Sequence, residues 1–163
     1  MNLRPLTLLF LKIEQMKNSS GIAQLFLRIA LSLGFLLPVM DRLGWMGAHG
    51  SSGVAWGDWK HFIDYSNILM PFLNRPYANI MGLTATVSEV VFGICLIVGL
   101  KIKQIALGAA ILTLGFGLCM AIFLNIGAPF TYPVFVFTGA ALVLSGIGHY
   151  KWSIDDYIAV KNA

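Results

Sequence analysis

Apolar residues recur along this chain in long unbroken runs rather than in short alternating patches. The clearest run is Met81 to Leu100, MGLTATVSEVVFGICLIVGL, nearly all apolar with a single carboxylate, Glu89, near its middle. At about 1.5 Å of rise per residue it matches the roughly 30 Å hydrocarbon layer of a bilayer, so it predicts a transmembrane helix. Comparable windows place the predicted spans at about 21–40, 77–100, 105–124 and 130–148. The fold class that follows is all-α: a polytopic membrane protein built as a four-transmembrane-helix bundle.

The segments between the runs carry a different pattern. Residues 1–20 place Leu8, Leu11 and Met16 at helical spacing, which predicts an amphipathic helix on the cytoplasmic surface, with Asn18, Ser19 and Ser20 capping the span that follows. After span one comes the flexible GWMGAHGSSG. Trp59, Phe62, Ile63, Ser66 and Leu69 then recur at helical spacing. They predict an interfacial amphipathic helix at about 58–71, with Asp58 as its N-cap and Pro71 closing it. Pro38 should kink the first span near its end, and Pro129 and Pro133 should sit at the start of the fourth. Residues 150–163 are polar and read as a cytoplasmic tail, with Tyr150 and Trp152 at belt height. In the third span Ala109, Thr113, Gly117 and Ala121 form a small-residue stripe that predicts close packing against another span or another copy.

Composition sharpens this picture. The chain is 58% hydrophobic and only 11% charged, with a mean hydropathy of +0.79, where soluble domains carry about 25% charged residues. With both termini inside, Arg4, Lys12, Lys17, Lys101, Lys103, Lys151 and Lys161 lie on the cytoplasmic side and Arg42, Lys60 and Arg75 outside, so the positive-inside rule favours an N-in/C-in topology. The net charge of +4 is then a matter of juxtamembrane lysines meeting anionic lipid, with no need for nucleic acid as a partner. Cys95 and Cys119 sit about 9 Å and 24 Å from the Lys101 turn, too far apart in depth for a disulfide, and read as packing residues.

The carboxylate in span two is the anomaly. An ionised acid at that depth costs at least ~2.5 kcal/mol and needs a partner. Arg28, inside the first span, is the candidate: counted from the cytoplasmic end the two lie about 12 Å and 18 Å deep, within reach of two long side chains. As a structural element the Arg28–Glu89 pair would fix the register of two helices. As a chemical one, with Ser32, Ser88, Thr113 and Thr138 at similar depth, it would line a polar pocket in which Arg28 binds a quinone carbonyl and Glu89 moves the proton. A second candidate site lies at the outer boundary, where Asp41, Arg42, Trp56, Trp59, His61 and Tyr65 could gather, although aromatic residues there commonly serve as belt anchors. His49 and His61 share no helical spacing with a third ligand and His149 falls on the opposite side, so no metal or haem site is expected. There is no CxxC, haem motif or dinucleotide fingerprint, which leaves open only the membrane half of a redox reaction.

From about Gln24 to Asp155 the chain resembles the DoxX/DoxD-like family of small bacterial four-span membrane proteins. The residues that carry the resemblance are Leu27-Arg28-Ile29-Ala30-Leu31 with Gly34-Phe35, Glu89 followed by Gly93 and Gly99-Leu100, and Gly146-Ile147-Gly148 leading to Trp152-Ser153-Ile154-Asp155. Trp56-Gly57 is similar to one branch. The chain departs from the pattern in the spacing of its exit and in having Asp41-Arg42 at the end of span one. The resemblance implies a four-helix bundle in the bacterial cytoplasmic membrane. Through members that are the membrane subunit of a thiosulfate:quinone oxidoreductase, it also implies quinone-linked sulfur or thiol chemistry. A non-catalytic scaffold that binds a partner protein or a second copy is the alternative, and a small proton-linked permease a third.

Overall fold

The computed structural model describes residues 4–161, with side chains described from Ser20 onward. Its elements are α1 (Arg4–Arg42), α2 (Trp59–Leu69), α3 (Arg75–Val98), α4 (Ile102–Phe123), α5 (Ala128–Thr131), α6 (Val134–Ser145) and α7 (Ile154–Lys161), with no strand among the described residues. The stretches Ser20–Arg42, Arg75–Val98 and Ile102–Phe123 are each long and apolar enough to cross a membrane. Their outer surfaces agree: Phe26, Ile111, Ile122, Val136 and Val143 are all more than 60% exposed. Such an apolar surface belongs against acyl chains rather than water.

One sequence expectation for α1 gives way. The helix runs on through Asn18-Ser19-Ser20, so no new helix begins there; the Ser20 hydroxyl instead accepts from Gln24 Nε2 at 3.3 Å. Whether the preceding stretch is amphipathic concerns side chains outside the described residues. Pro38 lies within α1, four residues before its end. Proline cannot donate to the Gly34 carbonyl, and its own carbonyl accepts from Arg42 Nε at 3.0 Å.

The core joins α1, α3, α4 and α6. Leu31, Phe35, Leu96, Ile102, Ala106, Ala109, Ala110, Ala141 and Leu144 are buried together. Phe35 meets Phe92 and Phe137 edge-on at 6.0 and 6.2 Å, the arrangement that aromatic quadrupoles favour. The small-residue stripe packs within the chain. A β-carbon on Gly117 would come within 2.5 Å of the Phe135 ring, and Thr113 shares a 2.9 Å hydrogen bond with Thr138. The stripe therefore makes the α4–α6 contact and is largely used up by it.

The predicted fourth span is not one helix. Proline disfavours helical geometry in the residue before it; Tyr132 before Pro133 is extended, and the segment divides into α5 and the 12-residue α6. At about 1.5 Å per residue α6 covers about 18 Å, well short of a bilayer core. The tail is not free either: Tyr150 is buried and donates its hydroxyl to the Leu144 carbonyl at 2.9 Å, whereas Trp152 is exposed.

Between α1 and α3 the chain solves a depth problem. Leu36 packs on Gly93 and Arg42 reaches Thr86 and Glu89, so α1 ends level with the middle of α3. The loop 43–58 and α2 fill the remaining space, with Phe62 and Ile63 seated over Gly82. The predicted N-cap forms, Asp58 accepting from His61 N at 2.9 Å, and Phe62, Ile63 and Ser66 are buried.

Candidate functional site

Glu89 does not pair with Arg28. The register set by Leu36 over Gly93 puts Arg28 level with the last turn of α3, away from Glu89. There its guanidinium is 1% exposed and donates to four carbonyls: Nε to Leu96 at 3.0 Å, Nη2 to Ile97 at 3.1 Å, and Nη1 to Lys151 and Trp152 at 3.2 and 3.1 Å. The last carbonyls of any helix lack intrahelical donors, and Arg28 supplies them while binding the tail. Alongside, the Asp155 carboxylate accepts from Lys101 N and Ile102 N, both at 2.8 Å, and so caps α4, while its own N–H donates to Gly99 O. Gly99 adopts φ +75, and a β-carbon there would lie 2.5 Å from both Arg28 Nη2 and Ser153 Cβ. Arg28, Gly99 and the Trp152–Asp155 segment thus form one polar knot at one end of the bundle.

The partner of Glu89 is Arg42, with Nη2 2.7 Å from Oε2 and side-chain exposures of 2% and 7%. The contact is close, but it lies off the line of a well-directed hydrogen bond to that oxygen. Arg42 also donates from Nη1 to Thr86 Oγ1 at 2.8 Å. Its guanidinium carbon sits 4.1 Å from the Phe62 ring centre and 5.3 Å from that of Trp56, a cation enclosed by aromatic faces. Glu89 lies about 14 Å from the Val98 end of α3 and about 21 Å from Arg75, near mid-helix.

Asp41, next to Arg42, faces the loop. Its carboxylate accepts from Ala55 N at 2.9 Å, Trp56 N at 3.2 Å and Gly57 N at 3.0 Å. Irregular backbone packed on a bundle needs partners for its donors where water is excluded, and this single side chain accepts from three of them, the Gly57 N–H among them buried, while fixing Trp56 over Arg42.

The two predicted sites are therefore recombined. Glu89 comes from one, Arg42, Asp41 and Trp56 from the other, and Tyr65 joins through its ring, 6.2 Å from Trp56. Burial pushes the Tyr65 hydroxyl pKa up. Trp59 borders the group, 5.2 Å from Phe62, and its indole N–H is taken by Asn79. His61 turns away, stacking on His49 at 3.7 Å and bonding Asp58 at 2.9 Å. The hydrogen bond donated by the His61 backbone N–H, above all, holds the Asp58 carboxyl below the usual carboxylate range. Ser32 is buried but bonds its own helix at Arg28 O, and half-buried Ser88 bonds back to Thr84 O; neither contributes to a shared polar pocket with Glu89. Thr113 and Thr138 satisfy each other between α4 and α6.

Thr86 was not singled out from the sequence, and Phe62 was read only as an apolar position of the amphipathic helix, not as a site residue. Thr86 stands three residues before Glu89 and hence on its face, which was a usable signal; Phe62 had none beyond its apolar period. Among the described residues no three of His, Cys, Asp or Glu gather as metal ligands. No family model matches the chain, and no curated protein or solved structure matches it.

Proposed function

We propose that this chain is a DoxX-like protein of the bacterial cytoplasmic membrane, with both termini inside, acting as the quinone-facing membrane subunit of a redox system linked to sulfur or thiol chemistry. The observation that carries this reading is the Arg42–Glu89 pair, buried near mid-helix beneath Trp56 and Phe62. A quinone needs a donor for a carbonyl and a group that exchanges a proton as it is reduced. Arg42 supplies the first, through the second N–H of a terminal nitrogen beyond those directed at Thr86 and Glu89. Glu89, held by charge and without a well-directed hydrogen bond to Oε2, supplies the second. Arg28, which the sequence offers for this role, is committed to backbone carbonyls and takes no part.

The alternative, a non-catalytic scaffold for a partner protein or a second copy, is favoured by one specific feature: the donors of Arg28 and the carboxylate of Asp41 are spent on holding the fold. Titrating the purified protein with a short-chain ubiquinone analogue while following tryptophan fluorescence separates the two. The redox reading expects saturable quenching that E89Q and R42Q weaken at least tenfold while both variants remain helical bundles. Quenching unchanged in both variants, or absent from the parent protein, would leave the scaffold.

A further inference from the structure

A groove opens between α2 and the start of α3, bordering the Arg42–Glu89 group through Trp59, whose ring lies 5.2 Å from that of Phe62. It is an open depression of about 560 Å³ lined by Trp59, Lys60, Ile63, Arg75, Pro76 and Asn79. Ile63 is buried and forms its floor. Trp59 forms a wall, its ring held by the 2.8 Å bond from Nε1 to Asn79 Oδ1. Pro76 adds a second apolar surface. The rim is cationic: Lys60 and Arg75 are 74% and 55% exposed at the side chain and share a single counter-ion, Asp64. Lys60 holds it loosely at 3.4 Å, while the Arg75 contact is tight. Two cations against one carboxylate leave a net positive rim beside an apolar trough.

We infer that this groove is a binding site for an anionic phospholipid. A phosphodiester carries the one negative charge the rim lacks, and the adjoining methylenes of the lipid would lie across Trp59, Ile63 and Pro76. Tryptophan at the end of an apolar helix bundle sits at headgroup height, which brings the rim and a lipid phosphate to one level. The inference depends on the membrane reading of the helices and is independent of any quinone chemistry. Its occupant follows from charge and shape: a zwitterionic lipid would bring a choline cation to an already positive rim, and an anion without a tail would leave the trough empty.

The test is native mass spectrometry of the full chain released from detergent with phosphatidylglycerol or phosphatidylcholine added. Retention of phosphatidylglycerol over phosphatidylcholine is expected. Each rim cation near a lipid surface contributes about a fivefold effect, so K60Q/R75Q should lose about 25-fold in retention. W59L, which keeps every charge, should also weaken it, and D64N, which frees both cations, should strengthen it. All of these residues except Ile63 are partly or fully exposed, so the variants keep the core intact. Equal retention of the two lipids, preference for phosphatidylglycerol undiminished in K60Q/R75Q or in W59L, or full competition by inorganic phosphate alone would overturn the assignment.

Discussion

Replacing Arg28 with methionine tests the knot that ties α1, α3 and the tail. The side chain is fully buried and its length is nearly kept, so the change removes donors without opening a large cavity. Four carbonyls lose their partner: Leu96 and Ile97 in the last turn of α3, and Lys151 and Trp152 in the tail. A hydrogen bond from a charged donor contributes about 1.5–3 kcal/mol in soluble proteins, but inter-helix bonds in membrane proteins average only ~0.6 kcal/mol. At the membrane average and at the low end of the soluble range, the four contacts are worth between about 2 and 6 kcal/mol, the lower figure applying if the freed carbonyls find water at the bundle end. Unfolding in mixed micelles of increasing SDS fraction reads this directly. A second readout is local: trypsin should reach Lys151 and Lys161 much faster in R28M, because half of the lost bonds hold the tail. R28K should fall between, since an ammonium offers three donors from one point and cannot fork across two segments. Parent-like unfolding together with an equally protected tail in R28M would refute the reasoning.

Breaking the ion pair by R42M should cost about 3–5 kcal/mol, because Glu89 is left buried without its cation, whereas R42M/E89M should recover most of that loss; detergent unfolding of the two variants checks it. D41N should cost about 2–3 kcal/mol, since one of the three loop N–H groups would then face an NH2, and Trp56 emission should shift to the red as the loop loosens. G99A must adopt φ +75 against Arg28 and Ser153, so it should destabilise by at least about 1–3 kcal/mol and expose the tail to protease much as R28M does. The Asp58 carboxyl is held low in the folded chain by His61. Its cap on α2 is therefore complete above the ordinary carboxylate pKa, and is lost only as pH falls through the lower folded value; amide protection factors in α2, taken relative to the intrinsic exchange rate at each pH, should stay flat down to about pH 4 and fall below it.

Hydrophobic runs longer than a bilayer core is thick have few structures open to them, so the positions of α3 and α4, the helical character of α1 and α2, and the cap at Asp58 were all legible from the pattern alone. That pattern also identified Arg28 and Glu89 as buried charges, because charge in an apolar run needs a protein environment. It could not say which partner each would find. Counting depth from one end assumes that every span crosses fully and starts at the same plane, yet α1 stops level with the middle of α3, and proline at position 133 splits the last run. Partners across helices depend on relative register, which comes from contacts such as Leu36 on Gly93 and Phe62 with Ile63 over Gly82. Those contacts exist only once the helices have packed. One arginine therefore closes a helix end, the other holds the acid, and the side chains alone, chemically identical, carry no mark of the difference.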